Sequence, residues 1–454
     1  MIVSRHLHAP PLRELALRIL SRIEREGAFA DQLLAAAVKE RGLPPQERAL
    51  LRELTYGVLR WRNRLDWILA RFARRPLESI DPDIRNLLRL GAYQLCWMTS
   101  VPPPKAVWES VQLARQLGHE GIVAFVNAVL RALASQRGLL SFPDRAGDLT
   151  TYFTVTLSHP AWLAERWLAR YGLQPAEAMC QANNTQPPLT ARVNRLRTSP
   201  APLLASLREA GCEAEPCRYA PDGVWIQTHP PLDQLPPFLE GKLYIQDEAA
   251  MLCAYLLSPH AGDRVLDACA APGGKATHLA ELMDDCGEVV ALDRSRKRLR
   301  LLEDNCQRLG LRSVRCLAGD AATGQLEGTF DRILVDAPCS GLGVIRRHPD
   351  ARWRKGPDLI QAMQAVQTCI LEQLAGLLKP DGILVYATCS TEPEENEGVI
   401  RPFLERHPDY RLDPAAEFLP GPARLFMQEE GWFQTRPGPE GLDGFFGARL
   451  RRIG

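Results

Sequence analysis

Asp267-Ala-Cys-Ala-Ala-Pro-Gly-Gly-Lys275 decides how the C-terminal half of this 454-residue chain is expected to fold. The apolar run Arg264-Val-Leu266 precedes it and an amphipathic segment, Ala276 to Met283, follows, so the spacing predicts a strand, a tight Gly-rich turn and a helix. Gly273 and Gly274 carry no Cβ that would keep a ligand from the backbone. The helix behind them offers unpaired N–H groups and a positive dipole end. The next apolar run, Glu288-Val-Val-Ala-Leu-Asp293, ends in a carboxylate about 20 residues past the glycines, where doubly wound folds place the acid that binds ribose hydroxyls. A nucleoside ligand is therefore expected. The turn matches neither G-x-x-x-x-G-K-[ST] nor G-x-G-x-x-G, which argues against a nucleoside triphosphate and against a nicotinamide-dependent oxidoreductase.

After Asp293, strand-like and helix-like runs alternate: a charged helix from Ser295 to Leu309, Val314 to Asp320, Phe330-Asp-Arg-Ile-Leu-Val-Asp336, a long helix from Asp358 to Leu378, and Gly382 to Thr388. Alternation of this kind predicts a parallel sheet with helices on both faces and a ligand at the carboxyl ends of the strands. Asp267, Asp293, Asp320 and Asp336 all fall at such ends. One strand-end aspartate is ordinarily a helix cap, and four in register suggest a site. Two thiols, Cys339 in Pro338-Cys339-Ser340 and Cys389 in Thr388-Cys389-Ser390, lie just past the ends of neighbouring strands and are candidate nucleophiles. Residue chemistry alone does not choose between them.

Asp267–Lys275, Asp336-Ala-Pro-Cys-Ser-Gly341 and Ala387-Thr-Cys-Ser-Thr391 together resemble the Sun (Fmu) family of S-adenosylmethionine-dependent RNA cytosine-5 methyltransferases. The resemblance implies a Rossmann-like α/β methyltransferase domain acting on small-subunit (16S) ribosomal RNA. Carbon-5 of cytosine is too weak a nucleophile to accept a methyl group unaided, so a thiolate must first add to C6. DNA cytosine-5 methyltransferases use the cysteine of a Pro-Cys pair, which would nominate Cys339. The RNA family uses that of Thr-Cys-Ser, here Cys389, with Cys339 assisting breakdown of the covalent adduct. Asp336 would face the N3/N4 edge of the base. The family also implies that Cys269, Ala270, Ala271, Pro272, Gly273, Gly274 and Lys275 hold the methionine part of S-adenosylmethionine, Asp293 its ribose and Asp320 its adenine amino group. Lys275 pairing structurally with Asp267 or Asp336 is the competing expectation. The cation-rich loop Val344 to Lys355, with Trp353, is expected to clamp RNA backbone and stack on a base.

Three domains are expected: residues 1–140, 151–250 and 251–454. Residues 11 to 136 read as helix after helix, with Leu12, Leu15, Ala16, Ile19 and Ile23 at helical spacing and Asp81-Pro82 as a helix start. This all-α bundle resembles the NusB-type RNA-binding domain. Residues 1 to 145 carry 22 basic and 14 acidic side chains, a surplus of eight, so the remaining 309 residues carry −7 against the chain's net +1. The basic surplus favours a polyanion partner at the N-terminal end. Gln136 to Thr150 reads as a linker, and residues 151 to about 250 as a small α+β module, where Arg192-Val-Asn-Arg195 resembles the family's segment. A hairpin of Arg424–Met427 and Gly444–Leu450 is expected to finish the sheet. The 12 cysteines form no C-x-x-C or Cys/His cluster, so no metal is expected. Met1–Pro10 has no signal-peptide core and no run suits a membrane span, so a cytoplasmic protein is expected; it is further expected to be a monomer. The competing functions are a non-catalytic RNA-binding assembly factor and a cytosine-5 methyltransferase of another RNA such as tRNA.

Overall fold

The computed structural model describes residues 12–454 except 229, 324–325 and 415, so the expectation for Met1–Pro10 lies outside the described residues. The chain forms two compact units. One comprises the residues up to Gln186 with Ile345–Arg354, the other Pro187–Val344 with Lys355–Gly454.

The first unit is helical: Leu12–Glu26, Ala30–Arg41, Pro45–Arg60, Arg62–Ala70, Pro82–Trp97, Pro103–Leu117 and Glu120–Gln136, followed by Ala161–Tyr171 and Leu173–Asn183. The Asp81 carboxylate accepts the Asp83 N–H at 2.8 Å and Pro82 sits at the first helical position, so the helix Pro82–Trp97 starts where its cap predicts. Leu15, Ile19 and Ile23 pack into one core with Leu54, Leu87 and Leu88. Helices Pro45–Arg60 and Pro82–Trp97 cross at Gly57, where a Cβ would lie 2.0 Å from the Tyr93 ring. Arg89, 3% exposed, is neutralised by Asp66 at 2.7 Å and Glu24 at 2.9 Å.

The segment Ile345–Arg354 belongs to this helical unit, and two of its side chains depart from the expected RNA clamp. Arg352 is fully buried and donates to the carbonyl oxygens of Arg60, Ser158 and Asn183 and to Asn184 Oδ1, at 2.9–3.2 Å. Trp353 Nε1 donates to the Leu59 carbonyl at 2.5 Å, and the Arg62 guanidinium lies over the Trp353 ring. These two side chains are spent on packing.

The second unit holds two sheets. The smaller contains β1 (Leu189–Val193), β2 (Glu213–Pro216), β3 (Gly223–Thr228) and β4 (Leu243–Ile245), antiparallel in the order β2-β3-β1-β4. The larger contains β5 (Arg264–Asp267), β6 (Glu288–Asp293), β7 (Val314–Ala318), β8 (Phe330–Asp336), β9 (Leu378–Thr388), β10 (Tyr410–Leu412), β11 (Phe433–Gln434) and β12 (Phe446–Arg452). Its order is β10-β12-β9-β8-β5-β6-β7, with β11 beside β12. Strands β5 to β9 run parallel, and β12 pairs antiparallel with β9, β10 and β11. The reversal of order at β5, flanked by β6 and β8, makes the crevice that such sheets use for ligands.

Buried Arg192 of β1 ties the small sheet to the helix Gly274–Leu282. It meets Glu281 at 2.8 and 3.0 Å, Thr277 Oγ1 at 3.0 Å and the Gly274 carbonyl at 2.7 Å, with Gln246 as a further acceptor. Both ions of this pair are fully buried, so truncating one would cost about 3–5 kcal/mol. One expectation fails locally. Arg424–Phe426 lies in the 3₁₀ turn Gly421–Phe426, and Met427 makes a single antiparallel bridge with Phe433 while β11 supplies the partner strand of β12. Pro393–Glu395 is a 3₁₀ turn, and the helix proper begins at Glu397.

Candidate active site

The turn after β5 is held by its own side chains. Gly273 has φ +108°, which only glycine adopts without strain, and a Cβ there would meet Leu302 Cγ at 2.7 Å. Thr277 Oγ1 donates back to the Gly273 carbonyl at 2.6 Å. Asp293, at the end of β6, accepts the Ala271 N–H at 3.2 Å and the Ser295 N–H at 2.8 Å. Asp320 is exposed beyond β7 and accepts the Ala322 N–H at 3.0 Å, the capping use expected of a single strand-end acid.

Four carboxyls converge on this turn. Burial pushes the Cys269 thiol far up, and Asp267, Asp336, Asp293 and Asp320 all push it further. Asp267 is fully buried, and the Cys269 amide is too poorly aligned to make a full hydrogen bond to either of its oxygens. Burial first and Asp336 second raise its carboxyl to about 8, against the Lys275 ammonium and the Cys269 amide. Asp267 is thereby held largely uncharged at neutral pH, and the remaining carboxyls beside the turn disfavour phosphate and suit a cation.

Lys275 sits on the first turn of Gly274–Leu282 and donates to Asp336 Oδ2 at 2.7 Å, so of the two structural pairings it takes Asp336. Burial works against its charge, but Asp336 and the Cys253 and Cys389 thiols outweigh it and raise the ammonium above its ordinary range.

Beyond β8 and β9 the two thiols meet: Cys339 Sγ and Cys389 Sγ are 3.2 Å apart. Strands β8 and β9 are adjacent and parallel, with Asp336 opposite Ala387, so each chain reaches its cysteine within three residues of leaving the ladder. Asn396 shapes the Cys389 loop, accepting Thr388 Oγ1 at 2.6 Å and donating to the Ser390 carbonyl at 3.0 Å. Gly341 has φ +64°, and a Cβ there would lie 3.1 Å from Lys355 Nζ and 3.8 Å from Cys389 Sγ. The ammonium and the sulfur therefore border the same small space, and Lys355 also donates to the Ser340 carbonyl.

The pair is electrically asymmetric. The hydrogen bond from Cys339 lowers Cys389 and, against burial and Asp336, Lys275 and Lys355 lower it further. Cys339 is raised by the same bond, by burial, by the neighbouring Cys389 and, after these, by Glu395. The arrangement favours a Cys389 thiolate and a Cys339 thiol.

Thus Asp336, Lys275, Cys339 and Cys389 gather at one corner of the sheet edge, while Asp267, Asp293 and Asp320 line the neighbouring turn. Sequence reasoning missed Lys355 and Glu395. Lys355 was hidden in a basic run, and Glu395, in Glu392-Pro-Glu-Glu-Asn396, reads as a helix start. Among the described residues there is no His/Cys/Asp/Glu cluster that could hold a metal and no helix long and apolar enough to cross a membrane.

Three family profiles match in order: the NusB family over residues 10–135, the ferredoxin-like domain of RsmF/B-like methyltransferases over 159–233, and 16S rRNA methyltransferase RsmB/F over 254–451. The chain is 39% identical over 453 residues to the probable ribosomal RNA small subunit methyltransferase B of Bacillus subtilis (strain 168), covering 98% of this chain and 99% of that one. It is 35% identical over 446 residues to the Synechocystis protein of the same description, covering 97% and 99%. Among solved structures, the crystal structure of PH0851 superimposes with a TM-score of 0.80 at 27% identity, covering 98% of this chain and all of that one.

Proposed function

The chain belongs to the RsmB/F family of 16S rRNA methyltransferases, and we infer that it transfers a methyl group from S-adenosylmethionine to carbon-5 of a cytosine in 16S rRNA through a covalent Cys389–C6 adduct. The observation that carries this is the 3.2 Å sulfur pair beside Lys275 and Lys355.

The residues of the turn fit the donor. Its sulfonium is a cation, and four carboxyls face the turn at Cys269. The backbone of Cys269–Gly274 and Lys275 would hold the methionine part, Asp293 the ribose and Asp320 the adenine amino group. Bound there, S-adenosylmethionine supplies an electrophilic methyl group.

Cys389 as thiolate adds its electron pair to C6 of the cytosine, and the C5–C6 bond's electrons become available at C5. Asp336 keeps one oxygen, Oδ1, outside its bond to Lys275, so that oxygen can accept from the exocyclic amine of the base. As C5 gains the methyl group the donor's methyl–sulfur bond breaks and leaves a neutral thioether; the C5 proton then passes to water, the C5–C6 double bond re-forms and the C6–S bond breaks, returning the pair to Cys389. The Cys339 thiol, still within hydrogen-bond reach, stabilises that leaving thiolate. Every group comes from a single chain, which fits a monomer, and a ribosomal RNA substrate fits the cytoplasm. The basic helical domain at the N-terminus would dock the RNA.

The test is donor-dependent methylation of purified 16S rRNA followed by nucleoside mass spectrometry. 5-Methylcytosine is expected with the wild type and none with Cys389→Ala. Full activity of that variant, or methylation of a different atom, would refute the assignment.

A further inference from the structure

Glu395 is fully buried between the two cysteine loops. Its Oε1 accepts the Ser340 N–H at 2.6 Å and Gln367 Nε2 at 3.2 Å, and its Oε2 accepts the hydroxyls of Ser340 and Ser390. These serines directly follow Cys339 and Cys389, and their hydroxyl oxygens are 3.2 Å apart. Gln367 Nε2 extends the tie to the Pro338 carbonyl at 2.9 Å, and the Glu395 carbonyl accepts the Tyr386 hydroxyl of β9 at 2.6 Å.

Four neutral donors fill the roughly four lone-pair sites of a carboxylate. Packing alone does not call for a charge here, because burying a carboxylate among neutral donors is expensive. A neutral glutamine could bridge two hydroxyls. What the charge adds is a penalty on a second anion nearby, and it falls on Cys339, whose thiol Glu395 pushes up. The cations fall on Cys389 instead.

We propose that Glu395 is a positioning residue that locks the two cysteine loops in register and keeps their shared proton on Cys339, leaving Cys389 as the thiolate. The proposal rests on Cys389 being the nucleophile. It adds that the choice between the two thiols, which Lys275 and Lys355 bias from the Cys389 side, is reinforced from the Cys339 side by a carboxylate that touches neither substrate nor sulfur.

The test uses the full-length protein without RNA or donor. Wild type and Glu395→Gln are alkylated with iodoacetamide from pH 6 to 10, and peptide mass spectrometry reads Cys389 and Cys339 separately. Wild-type Cys389 is expected to react about tenfold faster than Cys339 near neutral pH, with the ratio falling about tenfold in Glu395→Gln and the Cys389 midpoint moving up by about one pH unit. The double variant Ser340→Ala/Ser390→Ala keeps the charge and cuts both hydroxyl ties. Its ratio is expected to fall about threefold, and it decides the matter if Glu395→Gln does not fold. An unchanged ratio and midpoint in a folded variant would overturn the proposal. Methyl transfer by Cys389→Ala would refute the nucleophile assignment separately, since alkylation is read without turnover.

Discussion

The carboxyl edge of the large sheet has two halves of opposite polarity. Beyond β8 and β9 lie two thiols with Lys275 and Lys355 beside them. Beyond β5, β6 and β7 lie Asp267, Asp293 and Asp320 around a glycine turn. Strand-end position is common to both and gives access only. Charge separates their chemistry: cations beside a thiol favour its nucleophilic anion, and carboxyls around a turn favour a cationic ligand. The Lys275–Asp336 bond at 2.7 Å joins the halves.

Breaking that joint should have the largest effect. Lys275→Met is expected to lower kcat/KM about 100-fold, equivalent to about 3 kcal/mol of transition-state stabilisation. Steady-state assays would show it, and a loss under threefold would deny the joint its role. Asp293→Ala should act on the carboxyl half alone, weakening donor binding about tenfold in calorimetry while leaving Cys389 alkylation unchanged. A change in Cys389 reactivity would mean the halves are not separable.

Two pH effects are smaller. Asp267 is raised to about 8 in the fold, above its unfolded value of about 4. Its protonated form therefore contributes stability that is full below about pH 4 and is lost as pH rises through about 8. The melting temperature of Asp267→Asn should be flatter than wild type between about pH 5 and 9, and parallel curves would contradict the burial of an uncompensated carboxyl. His278, on the buried face of Gly274–Leu282 with neither ring nitrogen partnered among the described residues, is pushed well below its ordinary range by burial and by Arg192 and Arg195. Stability is then present above its unfolded value of about 6.5 and lost as pH falls below it. His278→Phe should flatten that acid limb in a thermal-melt series, and an unaltered limb would assign it elsewhere.

Much of the edge is legible in the sequence because each part occupies consecutive residues: the turn Asp267–Lys275, then Asp336 to Gly341, then Ala387 to Thr391. The parallel sheet follows from alternation alone. Legibility ends where function depends on partners distant in the chain. Val344 to Lys355 reads as an RNA clamp by composition, yet Arg352 finds its acceptors at Arg60, Ser158, Asn183 and Asn184, so no local pattern marks it as buried. Lys355, at the end of the same run, returns to the thiols. Glu395 lies six residues past Cys389 but 55 past Ser340, and only the fold makes it common to both loops.

The most direct measurement of the central claim is to incubate Cys339→Ala with 16S rRNA and S-adenosylmethionine and to sequence any protein–RNA adduct by mass spectrometry. With elimination impaired more than addition, a denaturant-stable adduct is expected, its crosslinked peptide carrying the nucleotide on Cys389. An adduct on another residue, or turnover at the wild-type rate with no adduct, would contradict the assignment of the two thiols.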